Sequence, residues 1–325
     1  MALRADELID RSRLRRKLTF WRAATLVVAA LAIVATAAWL AGDELRGTGV
    51  DHIAKVRIEG TITEDDELVE RLENIRKAPT VKGVIIAIDS PGGTTAGGEQ
   101  IFDQVRRLAA DKPVTAQVGT LAASAGYMIA SATDHIVARR TSIVGSIGVL
   151  VQYPDITGLM EKLGVKLEEV KSSSLKAEPS PFNPTTEEER AMVRRMILDS
   201  YDWFVGIVSE RRAMSRAEAT ALADGSIFTG RQALAKKLVD AVGGEREAIA
   251  WLATKGVDAN LKVVEWKEKK TGSSWLLPDS YARALARLLG LPEYDAGLIE
   301  RLGGDRIFLD GLLSLWHPDQ KVWRE

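Results

Sequence analysis

Cysteine is absent from the 325 residues. That gap removes disulfide bonds, thiolate nucleophiles and cysteine-ligated zinc together. Histidine is scarce: His52, His135 and His317 lie far apart, none falls in a spacing such as HExxH, and no metal site is expected. Neither charge sign is in excess. Lys and Arg number 44 against 45 Asp and Glu, and no long basic block follows the N-terminus, which argues against nucleic acid as a partner. Internal repeats and low-complexity tracts are missing as well.

What is present is ample apolar material, 46% of the chain, enough for one or two domains. Residues 1–22 form a polar, basic tail (Arg4, Arg11, Arg13, Arg15, Arg16, Lys17, Arg22). Ala23 to Ala41 is uncharged and, as a helix, would span close to the roughly 30 Å hydrocarbon layer of a membrane. Trp21 and Trp39 near its ends suit the interface, and the basic tail predicts a cytoplasmic N-terminus with everything beyond a 42–52 linker on the far side. The apolar run exceeds the core of a cleaved signal peptide, which favours a retained single-pass anchor.

From Ile53 onward short β-rich runs alternate with helical ones. Strands are expected at Ile53–Ile58, Val81–Ile88, Val114–Val118, His135–Ala138, Ile147–Val151, Val165–Val170 and Leu261–Trp266. Helices are expected at Asp65–Lys77, Gln100–Leu108, Ala123–Ala132 and Ile156–Leu163, with a long one to Arg212 capped by Thr185 or Thr186. Three more follow at Arg216–Ala223, Arg231–Lys236 and Glu245–Lys255. Such alternation predicts an α/β fold with a largely parallel sheet flanked by helices, here over 53–257, followed by a C-terminal extension, 258–325. The extension carries apolar clusters with tryptophan, around Trp275 and Leu312 to Trp316, suited to core packing, subunit contact or a membrane surface.

Two stretches carry chemistry. In Pro113 to Tyr127 a buried strand and a glycine turn lead to Ser124, whose neighbours Ala122, Ala123, Ala125 and Gly126 leave room for another backbone to approach its hydroxyl. Such a serine is either a nucleophile or part of a tightly packed small-residue helix. Asp89 to Gly98, DSPGGTTAGG, ends a buried strand and matches neither GxGxxG nor GxxxxGKS/T, so no nucleotide cofactor is expected. Its glycines serve a tight turn, an anion site, or the N–H groups that hold an oxyanion beside Ser124. A nucleophilic serine needs a base. His135 reads as a structural residue in a short strand, which leaves a lysine, and a lysine base must be partly desolvated. Lys176 stands in a loop between a strand and a proline-rich turn, and reads either as that base or as an ordinary surface lysine. Ser146, between glycines, alone would pass as turn chemistry.

Together DSPGG (Asp89 to Gly93), AASAGY (Ala122 to Tyr127), VGSIGV (Val144 to Val149), SSLKAEPSPF (Ser173 to Phe182) and DGSIFTGRQA (Asp224 to Ala233) resemble the signal peptide peptidase A family. These are bacterial Ser-Lys peptidases of the ClpP/crotonase fold, anchored in the cell membrane with the catalytic domain outside the cytoplasm. The resemblance implies Ser124 as nucleophile, Lys176 as general base, Ser146 orienting the lysine, and Gly93 and Ala125 giving the oxyanion N–H groups. Ala125 stands where the family usually has glycine. The single copy of the motifs resembles the short form, which implies a ring-like homo-oligomer with the dyad shared between protomers, and cleaved signal peptides as substrates.

Overall fold

The computed structural model describes residues 49–267 and 313–315, together with helical positions 21, 22, 24–29, 31 and 32. Among the described residues no helix is long and apolar enough to cross a membrane. The tail up to residue 20, most of the expected anchor and most of the C-terminal extension lie outside them.

The central element is β2 (Val81–Thr94), whose run VIIAI is buried on both faces. It pairs in parallel with β3 (Val114–Ala123), which in turn pairs with two strands in succession. Thr115–Val118 lie beside β4 (His135–Ala138), and Leu121–Ala123 lie beside β5 (Ile143–Gly145), both parallel. The sheet runs β6 (Ile227–Thr229), β5, β3, β2, β1 (His52–Ile62), β8 (Val263–Glu265), with β7 (Ala241–Val242) on β4 and β9 (Leu313–Leu315) on β2. Only β5–β6 and β2–β9 among the registered pairs are antiparallel. The sheet thus continues past residue 257 to β8.

Alternation along β2 sorts its side chains between two cores. Val84, Ile86 and Ile88 pack with Leu68, Leu72 and Ile75 of α1 (Asp66–Lys77) and with Ile101, Val105 and Leu108 of α2 (Thr95–Asp111). Ile85 faces the other way, with Ile53 and Val137, toward Ala248 and Leu252 of α8 (Glu245–Thr254). Each such aliphatic side chain removed from water contributes about 1.5–3 kcal/mol. Between these lie α3 (Ala125–Ala132), α4 (Thr157–Leu163), α5 (Glu187–Arg211), α6 (Arg216–Leu222) and α7 (Gly230–Ala235). The expected cap of the long helix is present: Thr186 Oγ1 accepts from Glu189 N–H, and Glu189 reaches back to Thr186 N–H.

Two expected strands differ. Val165–Val170 is irregular and exposed: among the described residues its apolar side chains meet no strand edge. Ile147–Val151 is replaced by β5, which ends at Gly145 where Ser146 turns to a positive φ of 52°.

Candidate active site

Open α/β sheets place their sites beyond the carboxyl ends of the strands, and here the ends of β2, β3 and β5 converge. Register slips between Ile88 and Ser90, and Asp89 at the slip accepts Leu121 N–H on Oδ1 at 3.1 Å. Ser90, fully buried, donates to Gly60 O at 2.7 Å and accepts Gly92 N–H at 3.0 Å. Gly92 has φ 108°, and Gly93 lies so close to β1 that a Cβ there would stand 1.8 Å from Ile62 O. Thr94 closes the turn by accepting Gly97 N–H at 3.1 Å, which starts α2.

Ser124 occupies the step from β3 into α3 at φ 56°, ψ −121°, and is 1% exposed. Its N–H donates to Gly145 O and its carbonyl accepts from Met128 N–H. A non-glycine residue held in such a conformation costs on the order of 1–3 kcal/mol and persists only where its surroundings dictate it. The described non-glycine residues with positive φ are Ser124, Ser146, Ala177, Ala213 and Lys237. Two of them are the candidate serines and a third adjoins Lys176. Ser146 donates its N–H to Ser226 O at 2.8 Å, one residue beyond the β5–β6 ladder. Ala125 opens α3 and is not among the positive-φ residues, so alanine occupies this position without backbone strain.

The chain therefore brings Ser124, Ala125, Ser146 and Gly93 to one place. Lys176 is different: it is exposed, on a segment whose hydrogen bonds close on itself. Within that segment Lys171 pairs with Glu169 and Glu178, Glu178 accepts from Ser180 N–H and Asn183 Nδ2, and Lys176 N–H donates to Ser173 O. The Lys171 ammonium holds the Glu178 carboxyl below its ordinary range. Tyr153, Leu159, Leu163, Val165, Leu167 and Phe182 leave a large apolar surface exposed along this segment.

His135 is engaged elsewhere. It pairs in register with Thr115, at the opposite end of β3 from Ser124, and stacks on Trp251 with ring centroids 5.0 Å apart. Among the described residues no cluster of His, Asp or Glu could hold a metal ion.

Two features were not read from the sequence. Ser90 lies inside a quoted motif, yet no local pattern announces its two hydrogen bonds. β9 falls in the cluster at Leu312 to Trp316, whose apolar character was visible but not its partner: it runs antiparallel to Gly92–Thr94, with Ser314 opposite Gly93.

The family model described as peptidase family S49 matches residues 106–260, and that of Clp protease matches 53–156. A protein assigned as signal peptide peptidase SppA in Enterococcus faecium is 32% identical over 71% of this chain and 72% of its own. A Synechocystis protease is 33% identical over 74% of this chain and 88% of its own. The chain belongs to peptidase family S49. Membership places it among the serine peptidases, and its mixed α/β fold with a parallel sheet agrees with the Clp protease match. The match to a Methanocaldococcus jannaschii protease, at 38% identity, spans 64% of that protein, and the match to Haemophilus influenzae protease 4 spans 42% of it.

Proposed function

We propose that this S49 peptidase is a membrane-anchored serine endopeptidase with a Ser124–Lys176 dyad that degrades signal peptides after their release from preproteins. The observation that carries the reading is the strained, small-residue seat of Ser124 beside the glycine turn at Gly92 and Gly93. Ser124 Oγ attacks a peptide carbonyl while Lys176 Nζ takes its proton, and the oxyanion accepts from the N–H groups of Gly93 and Ala125. The lysine returns the proton to the departing amine. Water then gives a proton to the same lysine and hydrolyses the ester on Ser124. Ser146 orients the ammonium-bearing chain.

A solvated lysine is a poor base, and among the described residues Lys176 is exposed. A second copy packed on the apolar surface of 153–182 would desolvate it, which supports a homo-oligomeric ring with each dyad split between protomers. The antiparallel seating of β9 on Gly92–Thr94 supports an extended peptide as substrate. The apolar run Ala23 to Ala41 and the basic tail support a bacterial cell-membrane anchor with the peptidase domain on the extracytoplasmic side.

The test is to trap the acyl-enzyme with a peptide inhibitor and locate it by mass spectrometry. Label on Ser124, lost in Ser124→Ala, supports the reading; label on any other residue overturns it. Mixing inactive Ser124→Ala with inactive Lys176→Arg chains before assembly should restore cleavage if the dyad is shared, and should leave it at background if each chain carries a whole site.

A further inference from the structure

Ser90 does two things at once with one hydroxyl. Its proton goes to Gly60 O at 2.7 Å, and its lone pair takes Gly92 N–H at 3.0 Å, while the 3.4 Å to Gly92 O is too long to compete. The side chain is 0% exposed and its bond from Gly92 N–H is buried, so water cannot take the place of that bond, whereas Gly60 is itself exposed. Gly60, at φ 74°, and Gly92, at φ 108°, are the turning points of the two segments it joins.

The residue is also wedged from the other side. A Cβ on Gly126, in the first turn of α3, would stand 3.0 Å from Ser90 O and 3.3 Å from Ser90 Cβ. Ser90 thus touches the turn that leads to Gly93 and the helix turn that begins with Ala125. The two backbone N–H groups assigned above to the oxyanion come from those same two turns.

We propose that Ser90 is a positioning residue that fixes the spacing of the Gly93 and Ala125 N–H groups. This rests on the reading that those groups hold the oxyanion. Removing the hydroxyl takes away the acceptor that holds Gly92 N–H and frees that peptide to turn. Donors displaced by even about 1 Å can cost on the order of 100-fold in rate, while substrate contacts elsewhere stay as they were.

The experiment uses the full-length protein and Ser90→Ala. Expected is a 10- to 100-fold fall in kcat with KM within twofold of wild type. A peptide aldehyde provides the readout that a merely structural role would not move. Ser124 Oγ bonds to its carbonyl carbon, the hydroxyl proton passes to the lysine base, and the carbonyl oxygen becomes the oxyanion. The alcohol of the same peptide forms no oxyanion. Ser90→Ala should weaken the aldehyde at least tenfold and the alcohol less than twofold. Equal weakening of both, or unchanged kcat, overturns the proposal. If Ser90→Ala does not fold, Ser90→Cys keeps a side chain at the site with a poor donor, and the same aldehyde-to-alcohol ratio decides. Failure of the Ser124 nucleophile reading is distinguishable, because then the wild-type protein itself would not favour the aldehyde over the alcohol.

Discussion

Ser124 N–H donates to Gly145 O at 2.8 Å, so the residue that follows β3 is tied to the residue that ends β5. The bond holds Ser124 at φ 56° while Ser146, next along, is held at φ 52°. The two positive-φ serines therefore lie within one residue of the same hydrogen bond.

That strain has a measurable sign. Glycine adopts positive φ without a Cβ penalty, whereas alanine does not. Ser124→Gly is expected to exceed Ser124→Ala in stability by about 1 kcal/mol, after its larger unfolded-state entropy is offset. Both variants should be inactive. Coincident urea midpoints for the pair would show that the strain at this position is no larger than glycine's entropic cost.

Gly93 is confined by steric contact, not by φ. A Cβ would meet Ile62 O at 1.8 Å and one on Gly97 would meet Thr63 C at 2.4 Å, both backbone atoms that cannot swing aside. Gly93→Ala should destabilise by at least 3 kcal/mol or prevent folding, comparable to the severe end of single substitutions. Gly158, in α4, has open space around it, and Gly158→Ala should gain about 0.5–1 kcal/mol from helix propensity. Chemical denaturation of the two variants checks the contrast; a Gly93→Ala chain as stable as wild type would contradict it.

Stability should fall on mild acidification through His135. Burial lowers its pKa; the Asp240 carboxylate 3.8 Å away opposes this and Arg212 adds to it. Trp251 from α8 and Lys255, just beyond it and adding to the lowering, complete its surroundings. Because the folded value lies below the unfolded one, the unfolded chain binds the extra proton. Stability is then fully present above about pH 6.5 and declines as pH drops toward the folded pKa. Thermal midpoints between pH 7.5 and 5 should decline less in His135→Gln; parallel curves would exclude this origin.

The pairing of β9 with Gly92–Thr94 predicts competition with substrate. Proline at Ser314 would remove a backbone N–H from that ladder. In steady-state cleavage of a short apolar peptide, Ser314→Pro should lower KM several-fold with kcat unchanged. An unaltered KM would mean that β9 does not occupy the edge that substrate uses.

Much of this was legible before the structure. The buried run Val81–Ile88 reads as a covered strand, and the spacing of Thr185 or Thr186 to Glu188 or Glu189 marks the long helix's start, which the structure places at Thr186 and Glu189. The buried seat of Ser124 at a strand-to-helix step was legible through its small neighbours. Val165–Val170 misled because period-two alternation states only that a segment could pair, and an edge must still be available. β9 and Ser90 were hidden for a related reason: each depends on partners remote in sequence or on backbone atoms, and neither leaves a trace in residue type.

The fork in β3 has a consequence for motion. With β2 along one side and β4 then β5 along the other, β3 has both its edges occupied, and Ser142 Oγ clamps the branch point by donating to Gly119 O at 2.6 Å. Local fraying, which usually begins at an open edge, has no place to start on this strand. Its amides should be the last to exchange with solvent, so the proposed nucleophile Ser124 is carried at the end of the slowest-breathing part of the sheet while its proposed base, Lys176, rides on one of the most exposed segments.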